Sequence, residues 1–195
     1  MIAASRLAEG WVVETVSDAA LMQRLASGDL DALAPLHQRY GRMVASLALR
    51  TESTLGPDDA DDVCQEVFLT LASTASRYRE EGRLRSWICG ITVRKVRSWR
   101  RKKWVRRALH REHGDVTAGV SLYRGPSPVE QAAAREQVHL ALAALPASQR
   151  EVVVLHLVEG LSGAEVASAL GLTENAVWIR LHRARKTLAS KVGGS

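Results

Sequence analysis

Apolar residues recur along this chain at spacings of three and four, and no stretch alternates with the period of two that a half-buried strand requires. Ser17 and Asp18 suit a helix start, Ala20, Leu21 and Leu25 follow on one face, and Gly28 ends the element. Asp29 can cap a second helix whose stripe is Leu33, Leu36, Tyr40, Met43, Val44 and Leu47. The chain breaks around Thr51 to Pro57, and Pro57 suits the first turn of a third helix with Val63, Val67, Phe68 and Leu71 inside. The segment from Arg77 to Ser86 holds few apolar residues and reads as a loop into a fourth helix. There Leu84, Trp87, Ile88 and Ile91 share one face and the pattern thins after Val96, which predicts a core half followed by a half that projects charge into solvent.

The stretch from His110 to Pro128 carries glycines and prolines with little periodicity and reads as a linker. Beyond it a helix through Val138, Leu142 and Leu145 is stopped by Pro146, and a further helix with Val152, Val153, Leu155, His156 and Leu157 ends at Gly160. Ser162 and Glu165 form a capping box before Val166, Ala167 and Leu170, Gly171 ends that short helix, and Leu172 plugs the turn. Thr173 then caps a last helix with the stripe Val177, Leu181, Ala184 and Leu188. Two short helices joined by a tight glycine turn, the second one basic, make a helix-turn-helix. The expected fold is all-α: a loose leader over 1–16, a helical domain over 17–109, a flexible linker over 110–127, and a helix-turn-helix domain over 128–192.

Charge gives this pattern a purpose. The formal net charge is +6 and the pI about 9.8, which favours a polyanionic partner. Residues 83–111 contain no Asp or Glu, 12 of the 27 Lys and Arg, and Trp87, Trp99 and Trp104. Such charge matches a phosphate backbone, and aromatic faces can stack on unpaired bases. Trp87 fits the core, whereas Trp99 and Trp104 sit in the charged half, where stacking on a base or sugar is expected. Asp58, Asp59, Asp61 and Asp62 crowd the start of the third helix, more carboxylates than capping needs. With Gln65 and Glu66 they suit a basic protein partner. On the last helix Glu174, Asn175, Trp178, Ile179, His182, Arg183 and Lys186 face away from the stripe and suit a major groove, with either DNA or the neighbouring helix covering Trp178.

Other classes find little support. No apolar run is long enough to span a bilayer and no signal peptide is evident, so membrane insertion is not expected. Cys64 and Cys89 form no CxxC, and His110 with His113 lacks further ligands, so neither a disulfide framework nor a metal site is expected, and a reducing cytosol is the simplest location. No paired carboxylates in a pocket-like context, no nucleophile with its base and no glycine-rich phosphate loop point to an enzyme or a cofactor.

From Asp18 to Lys191 the chain resembles the extracytoplasmic-function sigma factors, compact two-domain relatives of the bacterial housekeeping sigma factor. GDLDALAPLHQRYGRMV, DDADDVCQEVFLTL, SWICGI with its following arginines, and LPASQREVVVLHLVEGLSGAEVASALGLTENAVWIRLHRARKTL carry the resemblance. It implies that Asp61, Asp62, Gln65, Glu66 and Phe68 serve docking on core RNA polymerase, with Phe68 supporting the helix from below. It implies that Arg77, Arg83, Arg85, Arg94, Arg97, Trp99, Arg100, Arg101 and Lys102 serve reading and opening of the minus-ten element. Asn175, Trp178, Ile179, His182, Arg183 and Lys186 would read the minus thirty-five element. The implied partners are core polymerase, promoter DNA and an anti-sigma factor. Arg94 stands where the family usually shows asparagine, Ser98 where aspartate is frequent, and Trp178-Ile179 where small polar or basic residues are usual. A helix-turn-helix regulator without polymerase, or a sigma-like interaction protein that does not support initiation, remain open as alternatives.

Overall fold

The computed structural model describes residues 16–79, 83–109 and 129–192, and among them no strand occurs. The expected leader up to residue 15, the tip of the loop at 80–82 and the linker up to residue 128 lie outside the described residues. The N-terminal helices are α1 (Asp18–Ala26), α2 (Leu33–Thr51), α3 (Pro57–Thr74) and α4 (Leu84–Leu109). The C-terminal ones are α5 (Val129–Ala143), α6 (Ala147–Val153), α7 (Gly163–Leu170) and α8 (Glu174–Val192).

Local chemistry explains the boundaries. The Ser17 hydroxyl accepts from the Ala20 amide at 3.2 Å at the start of α1. Asp29 caps as expected, accepting from the Asp31 amide, but the capped turn is a 3-10 turn over Leu30–Ala32 that runs into α2. Pro57 occupies the first turn of α3, and the Asp59 carboxylate reaches back to the Gly56 amide. At α7, Glu165 accepts from the Ser162 amide at 2.8 Å while the Ser162 hydroxyl accepts from the Glu165 amide at 3.2 Å. Gly171 ends α7 with φ +65°, and the Leu172 amide donates to the Ala167 carbonyl at 2.9 Å, closing a Schellman turn. The helix after Pro146 is not regular throughout: α6 passes into a π-helical segment over Val154–Val158, with the Glu159 amide donating to the Val154 carbonyl.

Two apolar clusters hold the molecule together. The first joins Leu21, Leu36, Val44, Val67, Leu71 and Ile88 across α1 to α4, with Trp87 and Trp99 packed at its edge. The second is centred on Leu145, Val152, Leu155, Val166, Val177 and Ala184, yet it also contains Leu47 of α2 and Cys89 and Val93 of α4. The C-terminal helices therefore pack directly on α2 and α4. The approach is tight at Gly90: a Cβ there would stand 2.8 Å from the Ala169 carbonyl oxygen of α7.

The left-handed turn at Gly171 yields a test. A side chain in that conformation costs about 1–2 kcal/mol, so Gly171→Ala is expected to lower the unfolding free energy by that amount, read as a lower urea midpoint with an unchanged m-value.

Candidate nucleic-acid interface

The acidic end of α3 is open. Asp58, Asp61, Asp62 and Gln65 are exposed, and among the described residues no ion pair holds either Asp61 or Asp62. Glu66 is half-buried and lies 3.5 Å from Lys95 Nζ and 3.6 Å from Lys102 Nζ, so it ties α3 to α4. Phe68 is buried, with the His37 ring 4.8 Å away, and can act only through the helix it supports. Between the two helices lies a cleft of about 770 Å³ lined by Asp62, Glu66, Trp99, Arg101, Lys102 and Val105 among others.

The basic helix α4 differs from the expectation in its middle. Trp99, expected to offer its ring to a base, packs against the first core, donates from Nε1 to Asp59 at 3.1 Å and carries Lys103 Nζ 4.4 Å from its ring centre. Arg97, expected to project into solvent, donates to both carboxylate oxygens of Glu151 at 3.0 and 2.6 Å. Arg100 lies 3.6 Å from the buried Glu52. The physical reason is proximity: carboxylates from the end of α2 (Glu52), from α3 (Glu66) and from α6 (Glu151) stand beside this stretch of α4 and offset its charge. Past Arg101 the expectation describes the exposed side chains well, with Trp104 71% exposed.

Nearer the start of α4, Arg85 donates to the Glu159 carboxylate at 2.8 Å and to its carbonyl, and Arg83 lies 3.8 Å from Glu165. Arg94 donates to the Ala169 carbonyl at 3.3 Å. Burial, and then the neighbouring Arg97 charge, lower the Arg94 pKa, whereas the hydrogen bond to Glu151 raises that of Arg97. Ser98 is half-buried and lines the cleft beside α3. Arg77 and Arg79 are exposed and, with Tyr78, Trp87, Gly90 and Arg94, line a second cleft of about 490 Å³. Tyr78 and Trp87 stand 5.2 Å apart at its wall, and Ser168 and Ala169 of α7 close its far side. Burial drives the Cys89 thiol up to about 12, so it behaves as an apolar core residue.

On α8 the face left by the buried stripe is accessible: Asn175, Trp178, Ile179, His182, Arg183 and Lys186 are all exposed. Trp178 leans back toward the neighbouring helix. Its ring would meet a Cβ on Gly163 at 2.8 Å, and it stands edge-on to His156 at 5.3 Å. His156 is held in turn by the Leu161 carbonyl, 2.7 Å from Nδ1.

Sequence reading passed over Glu52, Glu151, Glu159, Arg150 and Gly90. Arg150 is buried and donates to the carbonyls of Ala143 and Leu145 and to the Ser53 hydroxyl. The available signal was charge set inside apolar surroundings, as in REVVVLHLVEG, which implies buried partners. Among the described residues no group of three His, Cys, Asp or Glu could hold a metal, and no helix is long and apolar enough to cross a membrane.

Comparison with known proteins follows this geometry. The model described as Sigma-70 region 2 matches residues 36–106, and that described as Sigma-70, region 4 matches residues 135–188. The "Probable RNA polymerase sigma factor RfaY" of Xanthomonas campestris pv. campestris is 32% identical over 169 residues, covering 83% of this chain, which spans only 42% of that relative. The ECF RNA polymerase sigma factor SigD of Mycobacterium tuberculosis is 33% identical over 165 residues, 84% of this chain and 74% of the relative. The solved structure of CnrH in complex with the cytosolic domain of CnrY superposes with a TM-score of 0.65 at 26% identity, covering 91% of this chain and 98% of that one.

The capping box of α7 gives a pH-dependent test. Hydrogen bonds from the Ser162 amide and hydroxyl hold the Glu165 carboxyl below its ordinary value of 4.5, with Arg83 and Arg85 adding to the shift. A depressed carboxyl stabilises the fold above its unfolded value and loses that contribution as pH falls through the folded one. Glu165→Ala is therefore expected to lower stability at pH 7 and to flatten the acid side of the stability profile below about pH 4.5, measured by urea unfolding across pH.

Proposed function

The chain belongs to the extracytoplasmic-function sigma factors of the sigma-70 family, and on that premise we propose that it docks on core RNA polymerase through the acidic end of α3 and reads promoters with α4 and α8. The observation that carries the reading is the pairing, in one chain, of a region 2 match over the basic helix with a region 4 match over the helix-turn-helix. Exposed Asp61, Asp62 and Gln65 suit a basic surface on the polymerase, with Glu66 and Phe68 fixing the helix that presents them.

The cleft beside Tyr78 and Trp87 has the chemistry to receive an unpaired base, since it joins aromatic faces to the guanidiniums of Arg77 and Arg94. Arg83, Arg85, Arg97, Arg100, Arg101 and Lys102 would follow the backbone of the opened strand, and Trp99 keeps α4 in place rather than stacking on it. Separating a duplex costs roughly 1–2 kcal/mol per step, so a protein of this size opens several pairs only with polymerase docked. The face of α8 offers Asn175 to adenine and Arg183 to guanine, and Ile179 to a thymine methyl. His182 and Lys186 extend the same face along the groove.

The protein is thus a specificity subunit with no active site of its own, working in the cytosol where the polymerase is. CnrH, a relative by structure, was solved with the cytosolic domain of CnrY. A protein partner fits this chain as well, and the family to which it belongs implies an anti-sigma factor. The deciding experiment adds the purified chain to core polymerase and a genomic library and maps transcript starts. Specific starts are expected, whereas polymerase binding without them would identify a sigma-like interaction protein. Asp61→Ala with Asp62→Ala is expected to lower initiation by about tenfold or more, equivalent to about 1.4 kcal/mol of lost docking, with DNA binding by the isolated chain unchanged. Trp178→Ala is expected to shift the preferred minus thirty-five sequence in the same assay, and an unchanged preference would remove Trp178 from specificity.

A further inference from the structure

Two of the guanidiniums assigned to the minus-ten strand, those of Arg97 and Arg85, are occupied by carboxylates of the chain's own C-terminal half. Arg97 holds Glu151 through two hydrogen bonds, and Arg85 holds Glu159. Both glutamates are almost fully buried, with side chains 3% and 5% exposed. Arg94 is exposed and makes one hydrogen bond, to the Ala169 carbonyl at 3.3 Å, and the same α7 backbone closes the far side of the base-sized cleft. By contrast, the outer face of α8 is bare.

We infer that Glu151 and Glu159 act as an internal phosphate mimic that latches the helix-turn-helix half onto α4, so that the free chain masks its minus-ten surface and not its minus thirty-five surface. The inference rests on the promoter reading above. A carboxylate and a phosphate take the same bidentate place on a guanidinium, so neither arginine can hold both. Geometry makes the latched form incompatible with a whole promoter. The two elements lie about 25 base pairs apart, roughly 85 Å of duplex at about 3.4 Å per pair, whereas α4 and α7 are in contact at Gly90 and Ala169. Engaging both elements requires the interface to part. Parting also exposes Leu47, Cys89 and Val93, an apolar cost that falls on the bare chain.

The test uses the full chain. Glu151→Gln with Glu159→Gln removes the mimicry and leaves every DNA-facing arginine intact. Gly90→Ala opens the same contact by another route, because its Cβ cannot fit beside the Ala169 carbonyl, and it favours the helix of α4 itself. Binding of a fluorescent random-sequence single-stranded 20-mer is followed against salt, alongside the radius of gyration by solution scattering. Both variants are expected to be more extended than the parent and to bind about tenfold tighter. Two released guanidiniums should steepen the slope of log K against log salt by roughly 1.4. If the double variant does not fold, Gly90→Ala decides alone. A parent chain already extended in solution, or variants matching the parent in size and salt slope, overturns the latch. Transcript mapping with core polymerase is run in parallel: normal starts with unchanged oligonucleotide binding sink the latch and keep the sigma reading. Tighter binding without starts from any form does the reverse.

Discussion

The pairing of Arg97 with Glu151 is the constraint on which the arrangement of the two halves depends. Burying a carboxylate to 3% exposure is costly unless it is paired, and among the described residues the ion pair of Glu151 comes from Arg97, 54 residues earlier in the chain. Around it the same logic repeats. Glu159 is buried between Arg85 and Arg50, and Glu52 lies beside Arg100. Removing the arginine from such a pair is costly because the glutamate charge is left buried, whereas the arginines, at 40–44% exposure for Arg85, Arg50 and Arg100, keep access to water. The pairs that Glu151 and Glu159 make with Arg97, Arg85 and Arg50 therefore act as a condition on contact: the halves either meet in this register or leave those glutamates and arginines for water to satisfy.

Such an interface is specific but not strongly stabilising, and both properties bear on function. Desolvating two ions offsets much of their attraction, so well-made buried pairs contribute little net stability compared with apolar packing. The apolar part of the contact is small in membership, with Leu47, Cys89 and Val93 entering the C-terminal core from the other side and Met43 packing at its edge. An interface of this kind can be exchanged for another that satisfies the same charges. A phosphate backbone satisfies arginine, and water or a basic partner satisfies the released glutamates.

Much of the local structure is legible in the sequence because its causes are local. The Ser162–Glu165 capping box, Gly171 at φ +65°, Pro57 in the first turn of α3 and the stripe through Leu36 and Val44 each depend on residues within a few positions. The π-helical segment over Val154–Val158 was not legible, because it depends on where Glu159 and Leu161 find carbonyls. In the candidate site, the exposed face of α8 follows from subtracting a buried stripe of period 3.6. The middle of α4 does not follow. Arginines there look alike in sequence whether they face solvent or a carboxylate on another helix, and only the tertiary contacts of Glu151, Glu52 and Asp59 separate the cases.

Trp178 shows how the same subtraction can mislead about direction. Counting positions puts it on the groove-facing side of α8, and it is 47% exposed, yet its ring covers Gly163 and stands against His156. Gly163 is the first residue of α7, so the indole bridges the reading helix to the helix before it, and any side chain at 163 would displace it. A ring held this way has little freedom to follow a base edge. On the proposed reading, any influence on sequence preference comes from the half of the ring that remains exposed. The bulky residue at this position thus serves first as packing between two helices, and its chemistry toward DNA is limited to an apolar edge suited to a thymine methyl.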